Sequence, residues 1–225
     1  MKNPKMKHQI KDLSWMLNLA FGPALRKPKW PPKACHPRLP RAFLMTDTRR
    51  LPNPLKIIKF LPHDVTIIFR HYGHSRRKAI AHQLVAQAHR RNIAVLISGD
   101  FQLARRTLAD GVHLPSHMLA NKGVRLIRNA PPYWLITAAV HNHRELKQAS
   151  NLGVNAALLS PVFNTLTHSN RRSLGLIGLQ RLTSVSLIPT FALGGIKFST
   201  AIRLKNSGTV GFGGIGEFQN LMKIL

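Results

Sequence analysis

Eight short apolar runs recur along the chain with helical spacing between them, and this alternation restricts the fold more tightly than anything else in the sequence. The runs are Ala42–Thr46, Val65–Phe69, Ile93–Ile97, Gly111–Leu114, Trp134–Val140, Ala156–Leu159, Ile188–Leu193 and Thr209–Phe212. Strands that are apolar at nearly every position, rather than at alternate ones, are buried on both faces, which is the pattern of a parallel sheet covered by crossover helices. Helical spacing is visible in Ala79, Leu84, Val85 and Ala88, and again in Arg144–Leu152 and Ser199–Lys205. So many strand–helix units in the 184 residues from Ala42 onward predict a compact (β/α)8 TIM barrel. An open doubly wound sheet would carry a glycine-rich turn after its first strand, where this chain has Met45-Thr46-Asp47-Thr48.

Two units follow: residues 1–41 as an N-terminal extension, and 42–225 as the barrel. The extension is basic and proline-rich. Ile10, Leu13, Leu17 and Phe21 fall on one face of a short helix among Lys2, Lys5, Lys7 and Lys11, and six prolines from Pro23 to Pro40 then forbid regular structure. A helix packed on the outside of the barrel or closing its bottom fits this pattern, as does a basic membrane-surface or targeting segment. The single cysteine, Cys35, excludes an internal disulfide and fits a reducing, cytoplasmic setting. No uninterrupted apolar stretch is long enough for a transmembrane helix.

The charge is extreme: 34 Lys and Arg against seven Asp and Glu give a net +27. Such a surface attracts phosphorylated small molecules, and on charge alone nucleic acid. The basic residues are spread along the chain rather than gathered in a stripe.

In a barrel of this kind chemistry sits where the strands end. Asp47, Arg49 and Arg50 follow the first run, Arg70, His71 and Tyr72 the second, Asp100 the third, His113 and Ser116 the fourth, His141 and Asn142 the fifth. Thr165, Thr167, His168, Arg171 and Arg172 follow the sixth, Gly194 and Gly195 the seventh, Gly213 and Gly214 the eighth. Glycine pairs after the last two strands lie where barrels commonly hold a phosphate on bare backbone N–H groups; tight turns alone also use such pairs. Arg70 is placed to fork onto a phosphate, or to be a solvated surface arginine. His141 is placed for proton transfer near neutral pH, or for a local hydrogen bond. The spacing of His113, His117, His141 and His143 matches no metal-ligand signature, and no metal site is expected from it.

Phe43–Asp47, ADGVHL at 109–114, His141-Asn142 with Glu145, SPVFNTLT at 160–167, Leu174–Leu179 and ALGGI at 192–196 together resemble the thiamine phosphate synthase and thiazole tautomerase family, in the family's order. The resemblance implies a phosphate-binding barrel that joins a pyrimidine diphosphate to a thiazole phosphate and expels pyrophosphate with the help of magnesium. It implies phosphate contacts for Thr165 and Thr167 and a phosphate cradle at Gly195. It matches Arg70 to a strand-end arginine, and His141 to the proton carrier of the tautomerase branch. The chain departs from the pattern at several points. The metal-holding aspartates fall at Gly99 and Met118, the residues flanking the strand-end arginine are Ile68 and Tyr72, and Ala139 and His168 replace a serine and a lysine. The expectations are therefore a synthase-like transferase, a tautomerase-like isomerase that needs no metal, or a non-catalytic barrel that binds anions or RNA.

Overall fold

A computed structural model describes residues 38–164, 173–216 and 218. The first 37 residues, and with them the expected amphipathic helix and all of the proline tract but Pro40, lie outside the described residues. The strands are β1 (Ala42–Met45), β2 (Val65–Phe69), β3 (Val95–Ser98), β4 (Gly111–Leu114), β5 (Leu135–Val140), β6 (Ala156–Leu159), β7 (Thr190–Leu193) and β8 (Gly211–Gly214). The helices are α1 (Arg77–His89), α2 (Phe101–Thr107), α3 (Asn121–Arg128), α4 (His143–Asn151), α5 (Gly175–Ser184) and α6 (Phe198–Ala201). All neighbouring strands pair in parallel, and β1 also pairs with β8, so the sheet closes into an eight-stranded barrel in sequence order.

Closure divides the apolar residues into two layers. Alternate strand residues such as Leu44, Ile67, Ile97, Val112 and Val140 point outward and pack under the helices with Leu84, Val85, Leu103, Leu146 and Leu179. The intervening set fills the lumen with Phe43, Met45, Ile68, Leu96, Leu158 and Phe191. Phe43 and Phe191 meet edge to face across the lumen, their ring centroids 4.8 Å apart. Leu39 and Val210 pack against this inner layer from the start of β1 and β8.

Three details differ from the sequence reading. The β1–β2 crossover is a 3₁₀ helix, Pro54–Phe60, which starts on a proline and is bounded by Pro52 and Pro62. On α1 the buried position is Ala81, and Ala79 is exposed. Gly213 and Gly214 do not follow β8 but form its end, pairing with Phe43 and Leu44 of β1. Among the described residues no helix is long and apolar enough to cross a membrane.

Candidate functional site

The C-terminal ends of the strands gather the expected polar residues at one mouth. Arg70 follows β2 and is half-buried. Its charge acts on Asp47 after β1 and on His113 in β4, lowering the pKa of both. Its backbone is fixed by a relay. The Arg70 N–H donates to Thr46 Oγ1 (2.9 Å), Thr46 lies 3.0 Å from His71 Nδ1, and His71 Nε2 lies 3.3 Å from the Pro52 carbonyl. Because a carbonyl only accepts, Nε2 carries the proton and Nδ1 accepts from Thr46. Burial, above all, holds the His71 pKa below its ordinary value. At Asp47 burial works to raise the pKa. The backbone N–H groups of Arg50 and Arg49 and the charges of Arg70 and Arg50 outweigh it, so the carboxylate titrates below its usual range.

His113 does not follow β4 but lies inside it, pointing into the lumen, because β4 runs on through Leu114. Its Nδ1 is 2.9 Å from Thr137 Oγ1 of β5, and burial, with the Arg70 charge second, pushes its pKa down to about 3. Next to it, the Tyr72 hydroxyl is 2.5 Å from Ser98 Oγ, which donates to the His113 carbonyl. Thr137 was not singled out in the sequence, although one hydroxyl inside the apolar run LITAAV is a visible signal.

His141 follows β5 on the same mouth. Its Nδ1 is 2.6 Å from the Ser160 carbonyl and 3.2 Å from Ser160 Oγ at the end of β6. The carbonyl requires a proton on Nδ1, which leaves the Nε2 lone pair of the neutral ring available as a base. The backbone is held by the start of α4: Asn142 Oδ1 accepts from Glu145 N (2.9 Å), and the Glu145 carboxylate accepts from His141 N (2.7 Å). Asn142 thus caps α4, and Glu145 fixes the His141 backbone just before it.

After β7, Gly194 and Gly195 have φ of 93° and 67°, a turn that other residues adopt only with strain. A Cβ on Gly195 would also lie 2.7 Å from the Asn164 carbonyl oxygen, and the Gly194 carbonyl accepts from Phe163 N, so this turn is locked to the loop after β6. Among the described residues, the N–H groups of Gly194 and Gly195 have no acceptor. Leu193 pairs with Gly213 in the ladder, which sets the turn beside Gly214, and a Cβ on Gly214 would meet nothing within 4 Å. By contrast, a Cβ on Gly213 would lie 3.2 Å from Leu193 Cδ1, so Gly213 is a packing position rather than part of the rim. Thr165, Thr167, His168, Arg171 and Arg172 lie outside the described residues.

Gly99 and Met118 are neighbours, as a pair of metal ligands would be: a Cβ on Gly99 would sit 3.8 Å from Met118 Sδ and 3.6 Å from Pro115 Cγ. The pair offers a bare backbone and a thioether where magnesium requires oxygen ligands. Asp100, one residue on, has both oxygens engaged: Oδ1 accepts from Leu103 N at the start of α2, and Oδ2 accepts from Arg77 Nη1, each at 2.9 Å. The residues present do not fit the metal. Arg77 was missed in the sequence because it stands in the run Arg76-Arg77-Lys78, which reads as a solvated helix start; only its contact with Asp100 distinguishes it.

The chain is similar to a protein of Aquifex aeolicus named "Putative thiamine-phosphate synthase 2", with 27% identity over 185 residues that make up 80% of this chain and 98% of that one. It is 30% identical over 139 residues to the thiamine-phosphate synthase of a Synechococcus strain, a match covering 62% of this chain but only 39% of that longer protein. The barrel is shared with the solved thiamine phosphate pyrophosphorylase of Pyrococcus furiosus, with a TM-score of 0.66, 22% identity, and coverage of 82% of this chain and 94% of that one. Residues 58–217 match the family model described as thiamine monophosphate synthase. The chain belongs to the thiamine monophosphate synthase family.

Proposed function

We propose that the protein is a synthase-like transferase that couples a pyrimidine diphosphate to a thiazole phosphate. In this reading a bond forms between the thiazole nitrogen and the pyrimidine methylene carbon. The carbon–oxygen bond to the diphosphate breaks, and pyrophosphate leaves with the electron pair. The observation that carries the reading is the turn at Gly194 and Gly195, whose N–H groups have no acceptor among the described residues and lie beside the open rim at Gly214. Such a turn suits a phosphate monoester dianion. Arg70, which follows β2 at the same mouth, supplies a permanent positive group for the diphosphate. The test is release of pyrophosphate by the purified protein from the two substrates together, with and without magnesium. Release under either condition supports the reading, and none under both overturns it.

A second reading, a tautomerase-like isomerase of a thiazole phosphate, is favoured by one observation: the Ser160 carbonyl on Nδ1 leaves His141 Nε2 as a base. Here His141 takes a proton from one ring position and returns it at another, and no cation is involved. His141→Asn should slow solvent proton exchange on a thiazole phosphate by about 10²–10⁴-fold, the usual contribution of a positioned general base. Unchanged exchange removes His141 from the chemistry.

A further inference from the structure

We infer, resting on the synthase-like reading, that this mouth binds its diphosphate without a divalent cation: Arg77 fills the surroundings of the metal position, and Arg70 carries the charge a metal ion would bring. The end of β3 is where the departure is built. Arg77 donates from Nη1 to Asp100 Oδ2 (2.9 Å) and from Nη2 to the Ser98 carbonyl (3.0 Å), so one guanidinium brackets Gly99 from both sides. It is held there by the rings of Phe69 and Tyr72, whose centroids lie 5.8 and 5.9 Å from its central carbon. Its side chain is only 16% exposed. A cation covalently tied to α1 therefore occupies the surroundings of Gly99, and it holds the adjacent Asp100 carboxylate.

The other donors near Gly99 are equally unsuited to a hard cation. Met118 and Pro115 present sulfur and carbon, and the remaining Asp100 oxygen caps α2. Arg77 is neutralised by Asp100, so it closes the position without adding net charge. Net charge for an incoming diphosphate comes from Arg70, which follows β2 at the same mouth, is half-buried, and has its backbone tied to Thr46 at the end of β1. A guanidinium is permanently charged and forks onto phosphate oxygens in two-point contacts, which gives it the electrostatic role of a metal without its ligand requirements.

Titration calorimetry with inorganic pyrophosphate on the full chain tests this. Affinity in EDTA should equal or exceed that in magnesium, since magnesium only competes for free pyrophosphate. Arg70→Gln should weaken pyrophosphate binding at least tenfold, Arg70→Lys less, and neither should shift thiazole phosphate binding more than threefold. Manganese resonance should show no protein-bound ion, with or without pyrophosphate. Binding that requires magnesium, a bound manganese ion, or full affinity in Arg70→Gln overturns the inference. So does thiazole phosphate binding with no pyrophosphate binding in either medium. The metal comparison uses the unaltered chain, so a variant that fails to fold does not blunt it. Metal-free pyrophosphate binding without turnover would instead overturn the synthase-like reading and leave this inference standing.

Discussion

His113 is 2% exposed, and burial together with the Arg70 charge puts its folded-state pKa near 3, against about 6.5 in the unfolded chain. Above pH 6.5 both states are neutral and nothing is lost. Below it the unfolded chain takes up a proton that the folded chain refuses until about pH 3, so stability falls with acidification by up to about 1.4 kcal/mol per pH unit from this group alone. His71, shifted downward by burial, works in the same direction. Asp47, whose pKa lies below 3.8 in the fold, adds acid sensitivity only at lower pH. Urea unfolding midpoints should therefore decline from pH 6.5 to 4.5, and His113→Asn should flatten much of that slope whatever it does to stability at pH 7. An unchanged slope contradicts the assignment. The rim glycines separate packing from binding in the same way. Gly195→Ala places a methyl 2.7 Å from the Asn164 oxygen at a left-handed φ and should cost about 1–3 kcal/mol in urea. Gly214→Ala meets open space and should stay within about 0.5 kcal/mol while weakening phosphate binding at the rim.

At the level of elements, α4 is the place where secondary structure and chemistry depend on each other. Asn142 caps the helix and Glu145 reaches back to the His141 N–H, so one box both starts α4 and holds the proposed base. Asn142→Ala should cost about 1 kcal/mol, read by urea unfolding, with amide exchange rising first in α4. Exchange rising uniformly across the barrel would mean that the cap is not what anchors this end. The box was legible in the sequence as Asn142 three residues before Glu145, and the strands were legible because burial on both faces leaves continuous apolar runs. The glycine-rich end was legible only in part: Thr209–Phe212 reads as a strand, but Gly213-Gly214 reads as a turn after it because glycine weakens strands. Barrel closure needs it there, since a Cβ on Gly211 would lie 2.3 Å from the Arg41 carbonyl oxygen and 2.6 Å from Phe191 Cε1. Arg77 was illegible for a related reason. A cation at a helix start looks solvated until the neighbouring strand end brings Ser98 and Asp100 to it.

Across the whole molecule, the net +27 meets few compensating charges, and the described acids are already engaged. Asp47 accepts from Arg49 and Arg50 N–H groups, Asp64 pairs with Arg41, Asp100 with Arg77 and Asp110 with His89, while Glu145 accepts from the His141 N–H. The surplus positive charge is thus a property of the surface at large, and it predicts attraction to RNA that owes nothing to the barrel mouth. Such binding releases counterions from many phosphates at once, so affinity should drop by about 10³-fold or more between 50 and 200 mM salt. A thiazole phosphate seated at Gly194 and Gly195 carries one dianion and should lose far less over the same range. Filter binding of an unstructured RNA and calorimetry of the small phosphate, run across one salt series, separate the two. Parallel lines would mean that both ligands read only the diffuse charge, and the phosphate turn would lose its claim to be a site. RNA affinity that survives at 200 mM and depends on sequence would instead favour the non-catalytic, nucleic-acid-binding barrel over either enzyme.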